Sequence, residues 1–435
     1  MTNQYKNNKK FVAILSIILA IVWIIFYFSG ISLVPFHPDE STQIFMSSDL
    51  ELIFNNTSEL FYKGSSDLTL KETYRLLDAP LTKYMIGISR NLFNQPGLTN
   101  DWNWSKTFSE NYQSFPNQRL LLISRVAVSI FFPLSAILIF LITNEIFENR
   151  KFPSVVAVLF FSLNSLLLLH TRRAMAESLL IFFLLLSLYA FLKLKPEKLW
   201  LSSIPIAFAI NAKQSLLFLI PTGIILSIYQ NVGNLRKLLL HLLTFLLMIF
   251  GISYILNPIA WKDPIKVSQL MINQRNELSA NQISAIDSVT PEFTTIKINE
   301  KIIAFIAQSF ILEPALLDIV NYEDDLALSF NEYLENPFHK GVLRNLFFGV
   351  IFILLSFFGF LFSFLKFSKK KVIVLSISFL LLFVENITFI NIPFQRYYLP
   401  AIPFVIIFTI FGIDQIQIII KKRIRSFNNA SKKSQ

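Results

Sequence analysis

Pro35-Phe36-His37-Pro38-Asp39-Glu40-Ser41-Thr42-Gln43 follows directly on an apolar run that fills residues 11–34. Crossing a bilayer takes about 20 apolar helical residues, and this run is long enough. Two adjacent carboxylates therefore stand where a membrane helix should meet water. Lys6, Lys9 and Lys10 precede the run and no small-residue cleavage site follows it. It reads as a retained signal anchor that leaves the N-terminus in the cytoplasm.

The rest of the chain agrees with a membrane setting. Of its 435 residues 54% are hydrophobic and only 15% are charged, with 46 Phe and a mean hydropathy of +0.55. Soluble chains carry roughly a quarter charged residues. Few glycines and no alternating ten-residue segments argue for helices over a barrel. The fold class is therefore an all-α polytopic membrane protein. The chain has no Cys, which excludes a disulfide framework and thiol chemistry.

Apolar runs predict about ten spans, within a range of roughly 9–13. They fall at 11–34, 118–145, 152–170, 174–193, 199–212, 214–230, 236–256, 342–366, 371–390 and 397–420. Two long polar segments, 36–117 and 257–340, separate them, within a single transmembrane domain over 1–420. The connections at Arg150-Lys151, Lys193–Lys198, Arg236-Lys237 and Lys366–Lys371 are all basic, as is the tail 421–435. Segment 36–118 has six Lys or Arg against ten Asp or Glu, and 257–340 has six against twelve. Basic loops stay inside, so both termini are cytoplasmic and both long segments lie outside. The net charge of +11 thus reflects membrane orientation and contact with anionic lipid, not nucleic acid. A bacterial plasma membrane is the expected location.

Charges then collect at the outer ends of the spans: Asp39, Glu40, Lys83, Arg125, Arg172, Arg173, Glu177, Lys213 and Arg396, with Tyr397 beside the last. Ionisable groups at membrane depth are costly, and they mark partners or function. Clustered cations suit a phosphate, and a carboxylate beside them suits general-base work on a hydroxyl. Structural readings stand next to these. Pro38-Asp39-Glu40 also reads as a helix cap, Arg125 as an ion pair with Glu177 or another acid, and Glu385 as a buried pair member. His37 and His170 are lone histidines with no metal set around them.

The motifs resemble the polytopic glycosyltransferases of the C fold class, in the protein O-mannosyltransferase and aminoarabinose transferase branch. Five stretches carry this: Pro38-Asp39-Glu40, Ala79-Pro80-Leu81-Thr82-Lys83-Tyr84, Arg125-Val126-Ala127-Val128-Ser129, Thr171-Arg172-Arg173-Ala174-Met175-Ala176-Glu177 and Arg396-Tyr397-Tyr398-Leu399-Pro400. The resemblance implies inverting transfer of a sugar from a polyprenyl-phosphate donor to an acceptor outside the cytoplasm. It implies Asp39 as base with Glu40 in support. It assigns the donor phosphate to Lys83, Arg125, Arg172 or Arg173, and Arg396, with Lys213 added by its position. Ala79 and Asp78 depart from the family's usual Pro and His. No cofactor is required, a divalent metal stays open, and the acceptor is a protein, lipid or glycan. The other reading is a transporter or flippase of a lipid-linked saccharide, but internal repeats and interrupted helix pairs are not evident.

The outer segments supply acceptor recognition in this reading. Residues 296–320 predict an amphipathic helix, either interfacial or in the core of a small outer domain. Tyr322-Glu323-Asp324-Asp325 reads as a solvated acidic turn or a metal site.

Overall fold

A computed structural model describes residues 18–64, 67–289, 293–295 and 297–433. Lys6, Lys9, Lys10, the first seven residues of span one, Ile296 and the side chains of Arg425, Lys432 and Lys433 lie outside the described residues. Among the described residues every regular element is helical. The apolar composition predicted this, and the chain is an integral membrane protein.

Helix α1 (Ile18–Ser29) enters the first outer segment. That segment folds as α2 (Pro38–Met46), α3 (Asp49–Asn55), α4 (Leu70–Leu77) and α5 (Leu81–Leu92). Next come α6 (Gln118–Ser129) and α7 (Phe131–Ile146), continuous enough to act as one span. Then follow α8 (Lys151–Ser162), α9 (Ser165–Thr171), α10 (Glu177–Lys193), α11 (Ser203–Ala212), α12 (Leu219–Asn231) and α13 (Leu235–Leu256). The second outer segment holds α14 (Pro264–Val289), α15 (Ile298–Ile306), α16 (Glu323–Leu334) and α17 (Pro337–Lys340). The chain ends with α18 (Leu346–Lys366), α19 (Lys369–Val372), α20 (Ser378–Phe389) and α21 (Ala401–Lys433).

Five of these helices, or six if one bent pair counts as a single span, are long and apolar enough to cross a bilayer. The difference from about ten has local causes. Span three is broken by 57° between α8 and α9, where the Asn164 side chain caps α9 by accepting the Leu167 N–H at 3.2 Å. An Asn that satisfies backbone donors ends one helix and starts another. Spans five and six, α11 and α12, are short because the chain leaves the helix at Lys213.

At one end of the bundle the basic connections are tied down. Arg150 pairs with Asp414 at 2.6 Å, and Lys370 donates to the Leu192 and Leu194 carbonyls. The charges from Asp39 to Arg396 gather at the other end.

Two close approaches set the packing. Gly359 of α18 lies against the Phe408 and Gly412 backbone of α21, and a Cβ there would collide with the Phe408 carbonyl. Small residues let membrane helices pack backbone to backbone. Gly359→Ala should cost more than about 1–3 kcal/mol, because backbone atoms cannot yield as side chains do. A lower Tm of the detergent-solubilised variant checks this. Gly30 plays a similar part just after α1, where a Cβ would meet the Arg172 guanidinium.

Joining of the two outer segments brings the site together. Trp102 packs on Tyr322 with ring centroids 5.2 Å apart and donates to its hydroxyl at 3.2 Å. Phe36, Phe108, Phe115, Ile319, Leu326 and Phe330 complete this second core. Glu323, Asp324 and Asp325 form the exposed first turn of α16, where acids complement the helix dipole. The amphipathic stretch is a helix, as read, but Phe305 packs on Phe379, Phe383 and Tyr398, so α15 joins the membrane bundle.

Candidate active site

The cap reading of the opening stretch holds. Pro38 starts α2, and His37 caps it by accepting the Asp39 N–H on Nδ1 at 3.0 Å. The Glu40 side chain reaches back to the His37 N–H at 3.0 Å. This reciprocal cap fixes the direction of both neighbouring carboxylates.

Glu40 points into the bundle and is fully buried. Arg125 meets it in a fork, Nε to Oε1 and Nη2 to Oε2, each at 2.7 Å. The Ala174 N–H adds a third bond at 2.7 Å, and Arg125 Nη1 donates to the Ile31 and Val34 carbonyls. Burial opposes ionisation of Glu40, but Arg125 outweighs it and holds the carboxyl below its ordinary pKa.

Asp39 faces the other way. Its side chain keeps 30% exposure and pairs with Arg396, which is 12% exposed. Burial would raise its pKa, but Arg396 beside it prevails and the net shift is downward. A second acid, Asp318, lies behind Arg396. Asp318 Oδ2 is 3.7 Å from Arg396 Nε and 3.0 Å from His37 Nε2. Since His37 Nδ1 accepts a backbone N–H, Nε2 carries the proton and donates to Asp318.

Around this pair stand buried groups with unused bonding capacity. Among the described residues, Arg173 Nη1, Arg396 Nε and both ring nitrogens of His170 have no hydrogen-bond partner. Arg173 and His170 are each 1% exposed. His170 lies within electrostatic range of Arg173, Asp318, Glu177 and Arg396. Leaving such donors unmade costs about 1–3 kcal/mol each, and more for charged groups. Lys213 closes the group, held by Glu177 at 2.7 Å and lying 5.3 Å over the Tyr397 ring.

The other expected phosphate ligands are committed elsewhere. Lys83 binds Asp49 at 2.8 Å, and Arg75 holds the same acid at 2.7 Å. Arg172 donates to the Phe26 and Tyr27 carbonyls and meets His339 at 2.8 Å, which ties the second outer segment to α1. Arg125 is taken by Glu40. Glu385 is not in an ion pair among the described residues, and its Oε2 has no hydrogen-bond partner. Sequence reasoning missed Asp318 and Asp49. The only signal for either is that a buried Arg or Lys requires an acid somewhere.

Asp78 and Asp101 lie within electrostatic range of Asp39. Burial, then the negative Asp39, pushes Asp78 up to about 6. Asp101 accepts the Tyr74 hydroxyl at 2.5 Å. Among the described residues no three His, Asp or Glu side chains are grouped to hold a metal ion. The guanidinium of Arg396 stands against both Asp39 and Asp318, so in this arrangement these acids are matched to a cation of the chain itself.

Residues 59–260 match the family model described as dolichyl-phosphate-mannose-protein mannosyltransferase. This stretch, under half of the chain, is similar to the protein mannosyltransferase branch and agrees with the motifs inside it, while Pro38-Asp39-Glu40 and the stretch from Arg396 to Pro400 lie outside the match. The match contains Lys83, Arg125, Arg172, Arg173, Glu177 and Lys213, and lies between Glu40 and Asp318. The chain is also similar to the crystal structure of the Archaeoglobus fulgidus oligosaccharyltransferase in complex with Zn and sulfate. That likeness has 13% identity and a TM-score of 0.47, over 90% of this chain and 46% of the other, so this chain spans about half its length. No curated protein matches the chain.

Proposed function

We propose that this protein is a membrane glycosyltransferase that moves a sugar from a polyprenyl-phosphate donor to an acceptor hydroxyl at the extracytoplasmic face. The observation that carries the reading is the set of partnerless buried donors, Arg173 Nη1, Arg396 Nε and the His170 ring, beside an accessible carboxylate, Asp39. A phosphate supplies the missing acceptors, and the match to a lipid-phosphate sugar transferase family supports that ligand.

In this mechanism the donor phosphate lies on Arg173, Arg396 and Lys213. Asp39 takes the proton of the acceptor hydroxyl. The acceptor oxygen bonds to the anomeric carbon from the face opposite the phosphate. The bond from that carbon to the phosphate oxygen breaks, and its electron pair leaves with the polyprenyl phosphate. The sugar is thereby inverted. The three cations stabilise the charge that builds on the leaving phosphate. Lys83, Arg125 and Arg172 hold the frame, and Glu40 fixes α2 so that Asp39 faces the acceptor.

The test is transfer from a radiolabelled polyprenyl-phosphate sugar in membranes. Arg173→Ala should lower kcat/KM for the donor by about 10–100-fold, since a hydrogen bond to a charged group contributes about 1.5–3 kcal/mol. Turnover equal to wild type would remove Arg173 from the phosphate seat.

A further inference from the structure

We propose that Arg396 is a two-position clamp: it closes on Asp39 before the donor binds, and the donor phosphate draws it off Asp39 to bridge the phosphate and Asp318, so the base is freed only in the loaded enzyme. This rests on the reading of Asp39 as base and a polyprenyl phosphate as donor.

The geometry has the parts of such a clamp. Arg396 Nη1 holds Asp39 Oδ2, while Nε has no hydrogen-bond partner and stops 3.7 Å short of Asp318 Oδ2. A guanidinium carries five donors in a rigid fork. One cation thus serves one acid fully and a second only by charge, and a short swing exchanges the two.

The second acid is fixed in place. Asp318 is 4% exposed and bonded to His37, whose ring is itself pinned by the backbone of α2. Arg396 sits on a turn whose first residue, Gln395, is anchored to Glu313 and Ala315. Asp318 and the turn are anchored, so a change of partner falls to the long Arg396 side chain, which slides over the Phe394 and Tyr397 rings it already lies on.

Chemistry gives the swing a purpose. With Arg396 on it, Asp39 has its lone pair engaged and is a poor base. A phosphate arriving at Arg173 takes Nη1 of Arg396 from Asp39, and the free Nε closes on Asp318, so the guanidinium bridges the phosphate and Asp318. Productive chemistry then requires the donor first. Asp318 is a positioning residue in this scheme, since it acts on Asp39 only through Arg396.

Freed of Arg396 and facing a new anion, Asp39 must gain proton affinity, which makes the swing measurable as proton uptake on binding. The charged groups that face it are His37, Arg396, Asp318, Asp78 and Asp101. The experiment is calorimetry of sugar-free polyprenyl phosphate binding to the full chain in nanodiscs at about pH 5, in buffers of different ionisation enthalpy. Wild type should take up more protons than Asp39→Asn, by up to about one per site. Asp318→Asn should still bind the probe and lose this excess, and Asp318→Glu, which keeps the acid, should restore it. Binding with equal uptake in wild type and Asp39→Asn overturns the clamp and leaves the donor reading standing. Absence of binding overturns both.

Discussion

Asp39→Asn should stop sugar transfer while the protein accumulates in the membrane at the wild-type level. The size of the loss follows from the role. Removing a positioned general base costs about 10²–10⁴-fold in rate, and the two acids nearest in the cluster are committed to other partners. Asp318 is buried on His37, and Glu40 is buried on Arg125.

Folding should be spared for two reasons. Asp39 is the most exposed acid of the cluster, with 30% of its side chain accessible. Its loss also leaves Arg396 near a remaining acid, Asp318, so no cation is stranded. The helix cap survives because the cap uses the Asp39 backbone N–H and not its side chain. The check is transfer from a labelled polyprenyl-phosphate sugar, normalised to protein in the membrane. Turnover near wild type in Asp39→Asn would sink the mechanism. Loss of the protein itself would instead make Asp39 a structural residue.

How much of this was legible in the sequence depends on how far apart the partners lie. The helical class and the collection of charges at one end of the bundle follow from local hydropathy and charge bias, and the structure has them. The resemblance assigned the base to Asp39 and support to Glu40, but which of the two side chains faces into the bundle was not legible. Neighbours on a helix point about 100° apart, so one must face in and one out, but which faces which depends on residues 85 and 357 positions away. The same distance hid Asp318, one of twelve acids in segment 257–340 with no motif around it. The cations misled in a particular way. Arg125, Arg172 and Lys83 sit in motifs as conspicuous as those of Arg173 and Arg396. Only the hydrogen-bond pattern separates those already saturated by carbonyls and acids from those with bonds left to make.

The second large effect falls on stability, at the carboxylate beside the base. Glu40→Gln and Arg125→Ala should each lower folding stability by about 3–5 kcal/mol, the usual result when one partner of a buried ion pair is removed. Arg125 and Glu40 are 3% and 0% exposed, so water cannot compensate either charge. The cost reaches beyond the pair. Glu40 accepts the His37 and Ala174 N–H groups, and Arg125 binds the Ile31 and Val34 carbonyls. One bridge therefore ties the end of α1, the cap of α2, helix α6 and the turn before α10. Both variants should show reduced accumulation and a lower Tm in detergent, and the double variant should cost less than the sum of the two. Acid should mimic the loss. Burial raises the Glu40 pKa and Arg125 lowers it further, for a net depression. The stabilisation it brings is therefore complete above an unfolded value of about 4.3 and fades as pH falls through the lower folded value. Glu40→Gln, which has no proton to gain there, should flatten the acid limb of a Tm-against-pH curve. A limb equally steep in wild type and Glu40→Gln would place the acid sensitivity at another carboxylate, of which Asp49, held by Arg75 and Lys83, is the next candidate.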